Sequence, residues 1–206
     1  MDATLTQVLL EYEERAAREM KFMMSAPREA VAARVDEFLI CIGREAGSLV
    51  HLLTTGARTQ TFVELGTSYG YSTLWLADAA RITGGKVHSF ELAQNKVDYA
   101  RSQLQRVGLD AYVQFHVGDA VQLLQQLDVA IDFVLLDLWK NLYVKCFEGF
   151  HPKLAPGALV AADNMTFPPE ARPDAASYQQ HVRTRPDMES LLLSVGNGIE
   201  LSRKKT

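Results

Sequence analysis

The sequence predicts an α/β protein: a doubly wound, mostly parallel sheet that ends in an antiparallel hairpin and is preceded by helices. Three observations carry this. From Thr61 onward, apolar runs of strand length alternate with amphipathic runs of helical length, the pattern of a parallel sheet covered on both faces. Gly66 and Gly70 punctuate the passage from the first strand into its helix, where backbone shapes closed to other residues are needed. Near the C-terminus, two strand-like runs flank Gly196-Asn197-Gly198, a hairpin signal.

Three helical segments are expected before the sheet. Leu5, Leu9, Tyr12, Ala16 and Met23 share one helical face. A second amphipathic helix is expected after Pro27, with Val31, Val35, Phe38 and Ile42 on one face. A third runs from about Glu45 to Thr55 and stops at Gly56. Then "TFVEL" reads as a strand, "STLWLADAAR" as a helix, "KVHSFE" as a strand, and "AQNKVDYARSQLQRV" as a helix closed by Gly108. "YVQFHVG", "AVQLLQQL" and "IDFVLLD" continue the alternation, and "KNLYVKCFEGFHPKL" reads as one helix. Pro156-Gly157 should turn into the strand "ALVAAD". "TFPPEARPDAAS" reads as a mobile loop, "YQQHVRTR" as a helix, and "ESLLLSV" and "IELSRK" as the hairpin. One domain over 1–206 is expected, with helices in 1–56 and the sheet core in 61–206.

Composition narrows the class. The chain has 206 residues, 48 % hydrophobic and 22 % charged, with a net charge of -4, as for a globular protein able to bury a core. The basic tail Arg203, Lys204, Lys205 is too small a cluster to argue for nucleic acid. No apolar run is long enough to span a bilayer. Cys41 and Cys146 stand in no metal or redox spacing, so a reduced cytoplasmic protein is expected. The five histidines form no ligand spacing and read as structural. Met20, Met23 and Met24 read as helix packing, a lid or a dimer surface.

Ligands of such sheets bind beyond the carboxyl ends of the strands. The turn after the first strand lacks the G-x-G-x-x-G spacing of dinucleotide-binding proteins. Glu64 precedes the turn; it would repel a pyrophosphate and suit a cofactor carrying an ammonium group. Glu91 ends the second strand, where an acid can accept hydrogen bonds from ribose hydroxyls. Asp119 ends the third and would lie near a base. Each acid alone also fits a solvated cap or turn. Asp137 ends the fourth strand, and Asp163-Asn164 ends the fifth. If those strands are neighbours, two carboxylates and an amide oxygen converge, a donor set for a hard divalent cation; N-capping is the alternative. Lys140, three residues past Asp137, can face the same place or sit as a surface lysine. Trp139 walls a pocket or packs in the core, whereas Trp75 reads as core.

The segments "VELGTSYGYS", "FE", "GDA", "LLDLWK" and "ADN" resemble the class I S-adenosylmethionine-dependent methyltransferases. More narrowly, they resemble the cation-dependent O-methyltransferases that include catechol and caffeoyl-CoA O-methyltransferases. The resemblance covers about Ile40 to Lys204. It implies a Rossmann-like methyltransferase fold and S-adenosylmethionine as cofactor, held by Ile42, Glu64, Gly66, Gly70, Tyr71, Ser72, Glu91, Asp119 and Asp137. It implies Mg²⁺ on Asp137, Asp163 and Asn164, and gives Lys140 the role of general base: a lysine beside a cation gives up its own proton more readily and can take that of a phenol. The acceptor implied is a small catechol-like or hydroxycinnamoyl-like aromatic. The reaction expected is an in-line attack of its oxyanion on the methyl of the sulfonium. A homodimer is implied as well.

The chain departs from that pattern. Leu138 stands where the catechol-type enzymes have His, and Ser68 and Tyr69 differ from their turn. Glu189 aligns loosely with an acid that contacts the second catechol hydroxyl, and it also fits the start of an exposed strand. The other readings are a metal-independent methyltransferase with a different acceptor, a cofactor-binding module without catalysis, and, most distantly, a nicotinamide oxidoreductase.

Overall fold

The computed structural model describes residues 2–206. Seven strands form one sheet in the order β3-β2-β1-β4-β5-β7-β6. They are β1 (Thr61–Leu65), β2 (Lys86–Glu91), β3 (Val113–Val117), β4 (Ile131–Leu136), β5 (Leu154–Ala162), β6 (Met188–Leu193) and β7 (Ile199–Lys204). β1 to β5 are parallel, and β7 runs antiparallel between β5 and β6. The chain order reverses between β1 and β4, so their carboxyl ends open the crevice where ligands of such sheets bind.

Two cores cover the sheet. On one face, Leu5, Leu9, Val50, Leu74, Trp75 and Leu104 pack from α1 (Ala3–Ser25), α3 (Gly43–Gly56), α4 (Tyr71–Thr83) and α5 (Gln94–Arg106). On the other, Leu124, Phe147, Phe150, Tyr178 and Val182 pack from α6 (Ala120–Gln126), α7 (Tyr143–Phe150) and α8 (Arg172–Arg183). Burial on both faces explains why "TFVEL" and "IDFVLL" read as near-continuous apolar runs. Among the described residues no helix is long and apolar enough to cross a membrane.

Four expectations are corrected. The helix expected after Pro27 is only α2 (Arg28–Ala32), followed by a single 3₁₀ turn at Val35–Glu37 and extended backbone at Phe38. Tertiary anchors replace helical bonds there: Glu19 accepts from the Leu39 N–H, and Arg15 donates to the Glu37 carbonyl at 2.9 Å. The run 140–154 is α7 between 3₁₀ turns at Lys140–Leu142 and His151–Lys153. Pro156-Gly157 lies inside β5, at a shift of register against β4, a usual place for residues that weaken a ladder. The loop expected from Thr166 to Ser177 is half helix: a 3₁₀ turn at Pro169–Ala171 leads into α8, whose first turn carries Pro173.

Candidate functional site

The strand tips and the turns after them enclose a cavity of about 410 Å³. Its floor is the turn after β1. Gly66 has φ 103°, and a Cβ there would lie 2.1 Å from the Asp137 carbonyl oxygen, so only glycine lets the β1 and β4 tips abut. Gly70 has φ 93° and precedes α4; a Cβ there would meet the Cβ of Ala100 at 2.6 Å. Gly70 therefore serves the packing of α5 against the turn.

The acids of the first three strands are largely engaged by the protein. Glu91 lines the cavity while its carboxylate accepts from the Ser68 N–H at 2.8 Å and the Ala93 N–H at 3.0 Å. It thereby holds Ser68 in a left-handed conformation, φ 47°. Asp119 also lines the cavity, and one of its oxygens caps α6 by accepting from Val121 N–H and Gln122 N–H. Glu64 is fully buried. Its Oε2 accepts from Thr73 Oγ1 at 2.7 Å and Ser89 Oγ at 2.5 Å, while Oε1 has no partner. Burial pushes this carboxyl up to about 7, against hydrogen bonds from Ser72, Ser89 and Thr73 that favour its charged form.

The tips of β4 and β5 differ. Asp163 is 1 % exposed, and neither carboxylate oxygen has a hydrogen-bond partner. Burial first, then the charge of Asp137, pushes it up to about 7. Burial also raises Asp137, opposed by Lys140. Lys140 Nζ lies 3.5 Å from Asp137 Oδ1 and donates to Asn164 Oδ1 at 2.7 Å. Asn164 takes a left-handed conformation, φ 59°, which Asn tolerates better than most residues. So Asp137, Asn164 and Lys140 meet at the cavity wall, with Asp163 buried directly behind Asn164 in the chain. Among the described residues, no group of three or more His, Cys, Asp or Glu side chains is placed to hold a metal. A cation here would depend on two carboxylates and an amide.

Other expected residues stand elsewhere. Ile42, Glu64, Gly70, Tyr71, Ser72 and Asp163 are not among the lining residues. The Ile42 side chain joins the core. Tyr71 donates from its hydroxyl to Glu13 at 2.7 Å. Glu189 is exposed and pairs with Arg203 at 3.1 Å on the edge hairpin, which fits its alternative as the start of an exposed strand. Trp139 is 61 % exposed and lines the cavity, so it is wall and not core; Trp75 is core. Leu138 lines the cavity where a polar residue stood in the resembled pattern.

The sequence reading missed one wall. Asp36, Phe38 and Ile40 come from the segment before α3, and Lys96 from α5. Tyr69 clasps them, donating to the Asp36 carbonyl at 3.2 Å with the Arg15 guanidinium 4.3 Å over its ring. The position of this wall is set by bonds from α1 to Glu37 and Leu39, which leave no local mark in the sequence.

Known proteins share this arrangement. A family model described as "Methyltransferase domain" matches residues 63–165, from β1 through the β5 tip. A protein of Mycobacterium tuberculosis named "Probable O-methyltransferase" is 31 % identical over 175 residues, covering 77 % of this chain and 72 % of its own. A catechol O-methyltransferase of Niastella koreensis is 30 % identical over 130 residues, 61 % of this chain and 58 % of that protein. The match thus spans little more than half of the latter. Among solved structures, an O-methyltransferase from Bacillus cereus in complex with S-adenosylhomocysteine superposes with a TM-score of 0.74 at 24 % identity, covering 94 % of this chain and all of its own. With the strand order, the glycine turn and the acids at successive strand tips, these matches fix the kinship: the chain belongs to the class I S-adenosylmethionine-dependent O-methyltransferases.

Proposed function

We propose that the protein methylates a hydroxyl of a small catechol-like or hydroxycinnamoyl-like aromatic, using S-adenosylmethionine and a divalent cation, most simply Mg²⁺. The observation that carries this reading is the convergence of Lys140 with Asp137 and Asn164 on one wall of the cavity, beside the glycine turn. The names of the relatives support the acceptor class.

The residues fit both groups. Glu64 keeps one buried oxygen without a partner beneath the turn, suited to the charge of an amino group. Glu91 and Asp119 line the cavity, placed for ribose hydroxyls and the base. Asp163, with two unpartnered oxygens, and Asp137 and Asn164 would supply an all-oxygen donor set suited to a hard cation. When bound, S-adenosylmethionine supplies an electrophilic methyl on sulfonium, and the cation lowers the pKa of a nearby hydroxyl.

The chain's own part is position and proton transfer. Lys140 Nζ takes the acceptor's proton, acting as general base. Nζ now donates to Asn164 Oδ1 at 2.7 Å and to the Leu138 carbonyl at 3.2 Å, the bonds a swing toward the acceptor would exchange. Trp139, Leu138 and Ile40 give the acceptor ring apolar walls and exclude water. S-adenosylmethionine held by Glu64, Glu91 and Asp119 would supply the methyl to the oxygen freed of its proton by Lys140, with its sulfur as the leaving group. Holding oxygen, carbon and sulfur in line supplies much of the rate.

A second reading is favoured by one observation: the Lys140 ammonium already neighbours Asp137 and bonds Asn164. The lysine would then serve as the site's cation, and methyl transfer would need no metal. The test is methyl transfer to a panel of catechols and hydroxycinnamates, followed by mass spectrometry, with Mg²⁺ and with EDTA. Transfer abolished by EDTA and restored by Mg²⁺ is expected. Transfer indifferent to EDTA would select the second reading, and no transfer in either condition would remove the proposed acceptor class.

A further inference from the structure

Two tyrosines lie side by side behind the wall that carries Lys140. Tyr143, in the first turn of α7, and Tyr178, in α8, are both fully buried, with ring centroids 5.5 Å apart and an interplanar angle of 86°. Their hydroxyls differ in employment. That of Tyr143 donates to the Asp163 main-chain carbonyl at 3.1 Å, while that of Tyr178 has no partner. The ring of Tyr143 also lies beneath the Lys140 ammonium, whose Nζ is 4.9 Å from its centroid.

We propose that Tyr143 is a positioning residue for the Asp163-Asn164 turn and for Lys140, acting through its hydroxyl on the first and its ring face on the second. The carbonyl that it holds belongs to the peptide between the two residues. That peptide sets where both side chains point, and Asn164 must be kept in a left-handed conformation that costs a non-glycine residue free energy. The backbone N–H of Asp163 is fixed on its other side by the Leu136 carbonyl, 3.1 Å away. Strand pairing therefore pins the entry to the turn and the Tyr143 hydroxyl pins its exit. On the other side of the ring plane, a cation over an aromatic face is attracted to it, so the same residue biases where the Lys140 ammonium rests. Tyr143 is fully buried and does not line the cavity; it acts through Asn164 and Lys140, which do.

The inference rests on the cation-dependent reading of the site. Its test compares Tyr143→Phe with Tyr178→Phe, two buried tyrosines that each lose one oxygen. Mn²⁺ affinity is read by electron paramagnetic resonance, and S-adenosylhomocysteine affinity by calorimetry. Outer partners of metal ligands are typically worth about 10–100-fold in metal affinity or activity. Y143F should therefore weaken Mn²⁺ binding by about tenfold, leave S-adenosylhomocysteine affinity within about twofold, and lower kcat with little change in KM for the cofactor. Y178F should leave all three unchanged. Wild-type protein that binds Mn²⁺, with Y143F binding it equally well, would overturn the inference alone. Wild-type protein that binds S-adenosylhomocysteine but not Mn²⁺ would remove the cation reading and this inference with it. A Y143F chain that does not fold, beside a folded Y178F, would assign Tyr143 to the fold and likewise overturn it.

Discussion

The carboxylates at the strand tips divide the site in two. On the β1–β3 side, Glu91 spends both oxygens on backbone N–H groups, and Asp119 and Glu64 spend one each. On the β4–β5 side, Asp163 spends neither. A buried carboxylate without partners costs free energy, and folded proteins rarely keep one without a use. The first group doubles as scaffold, because shaping the turns already satisfies it. On the second side Asp137 has Lys140 3.5 Å away, and it is Asp163 that is held at the expense of stability, without a partner among the described residues.

The largest expected effect breaks the second group. Asp163→Asn should weaken Mg²⁺ binding and slow cation-dependent methyl transfer by on the order of 100-fold. The same variant should melt higher than wild type in EDTA, since it removes a buried charge without partners. A D163N protein that melts lower and keeps its cation affinity would erase the contrast between the two sides.

Glu64 stands between the groups and sharpens the comparison. Glu64→Gln should weaken S-adenosylhomocysteine binding by about tenfold, as for loss of one buried charge-assisted contact. The sign of its pH effect follows from its raised carboxyl, up to about 7 when folded against 4.5 unperturbed. Between those values the folded chain holds a proton that the unfolded chain has released. In cofactor-free protein this contribution should thus lower stability as pH rises from about 4.5 to 7 and stay level above. Urea midpoints across that range should show a shallower fall in E64Q; equal slopes would deny Glu64 the titration.

The smallest effect belongs to the satisfied side. Asp119→Ala removes the cap of α6 and should cost about 1 kcal/mol of stability, read by urea denaturation. It should also weaken S-adenosylhomocysteine by only a few-fold. A loss of binding as large as that of E64Q would move Asp119 from scaffold to ligand contact.

Much of this architecture was legible in the residues. The alternation from Thr61 onward and the hairpin at Gly196-Asn197-Gly198 match the strands found, because parallel burial and tight turns leave local marks. The tips that bear Asp137 and Asp163-Asn164 proved to be neighbours, the condition on which their convergence depended. What the sequence concealed were structures set by distant partners. Val31, Val35, Phe38 and Ile42 carry helical spacing, yet the helix ends at Ala32 and the backbone is extended at Phe38, held by Glu19 and Arg15 of α1. Periodicity reports a local preference and is silent on such anchors. For the same reason the wall formed by Asp36, Phe38 and Ile40 left no motif. Nor could spacing reveal that Tyr143 reaches Asp163 while Tyr178 reaches nothing.

The contact of Gly66 with the Asp137 carbonyl carries a consequence for how this enzyme family can diversify. The turn after β1, proposed to cradle the methyl donor, and the tip of β4, three residues before the proposed base, meet backbone against backbone at Gly66 and Asp137, with no side chain between them to trim or enlarge. On that proposal, the separation of the β1 turn from the β4 tip is a fixed gauge set by main chain. New acceptors can be admitted only by recutting what surrounds that gauge: the 33–42 segment, Trp139 and the turn after Asn164. Variation in such a family should gather in those borders, while the distance across which the methyl travels stays the same.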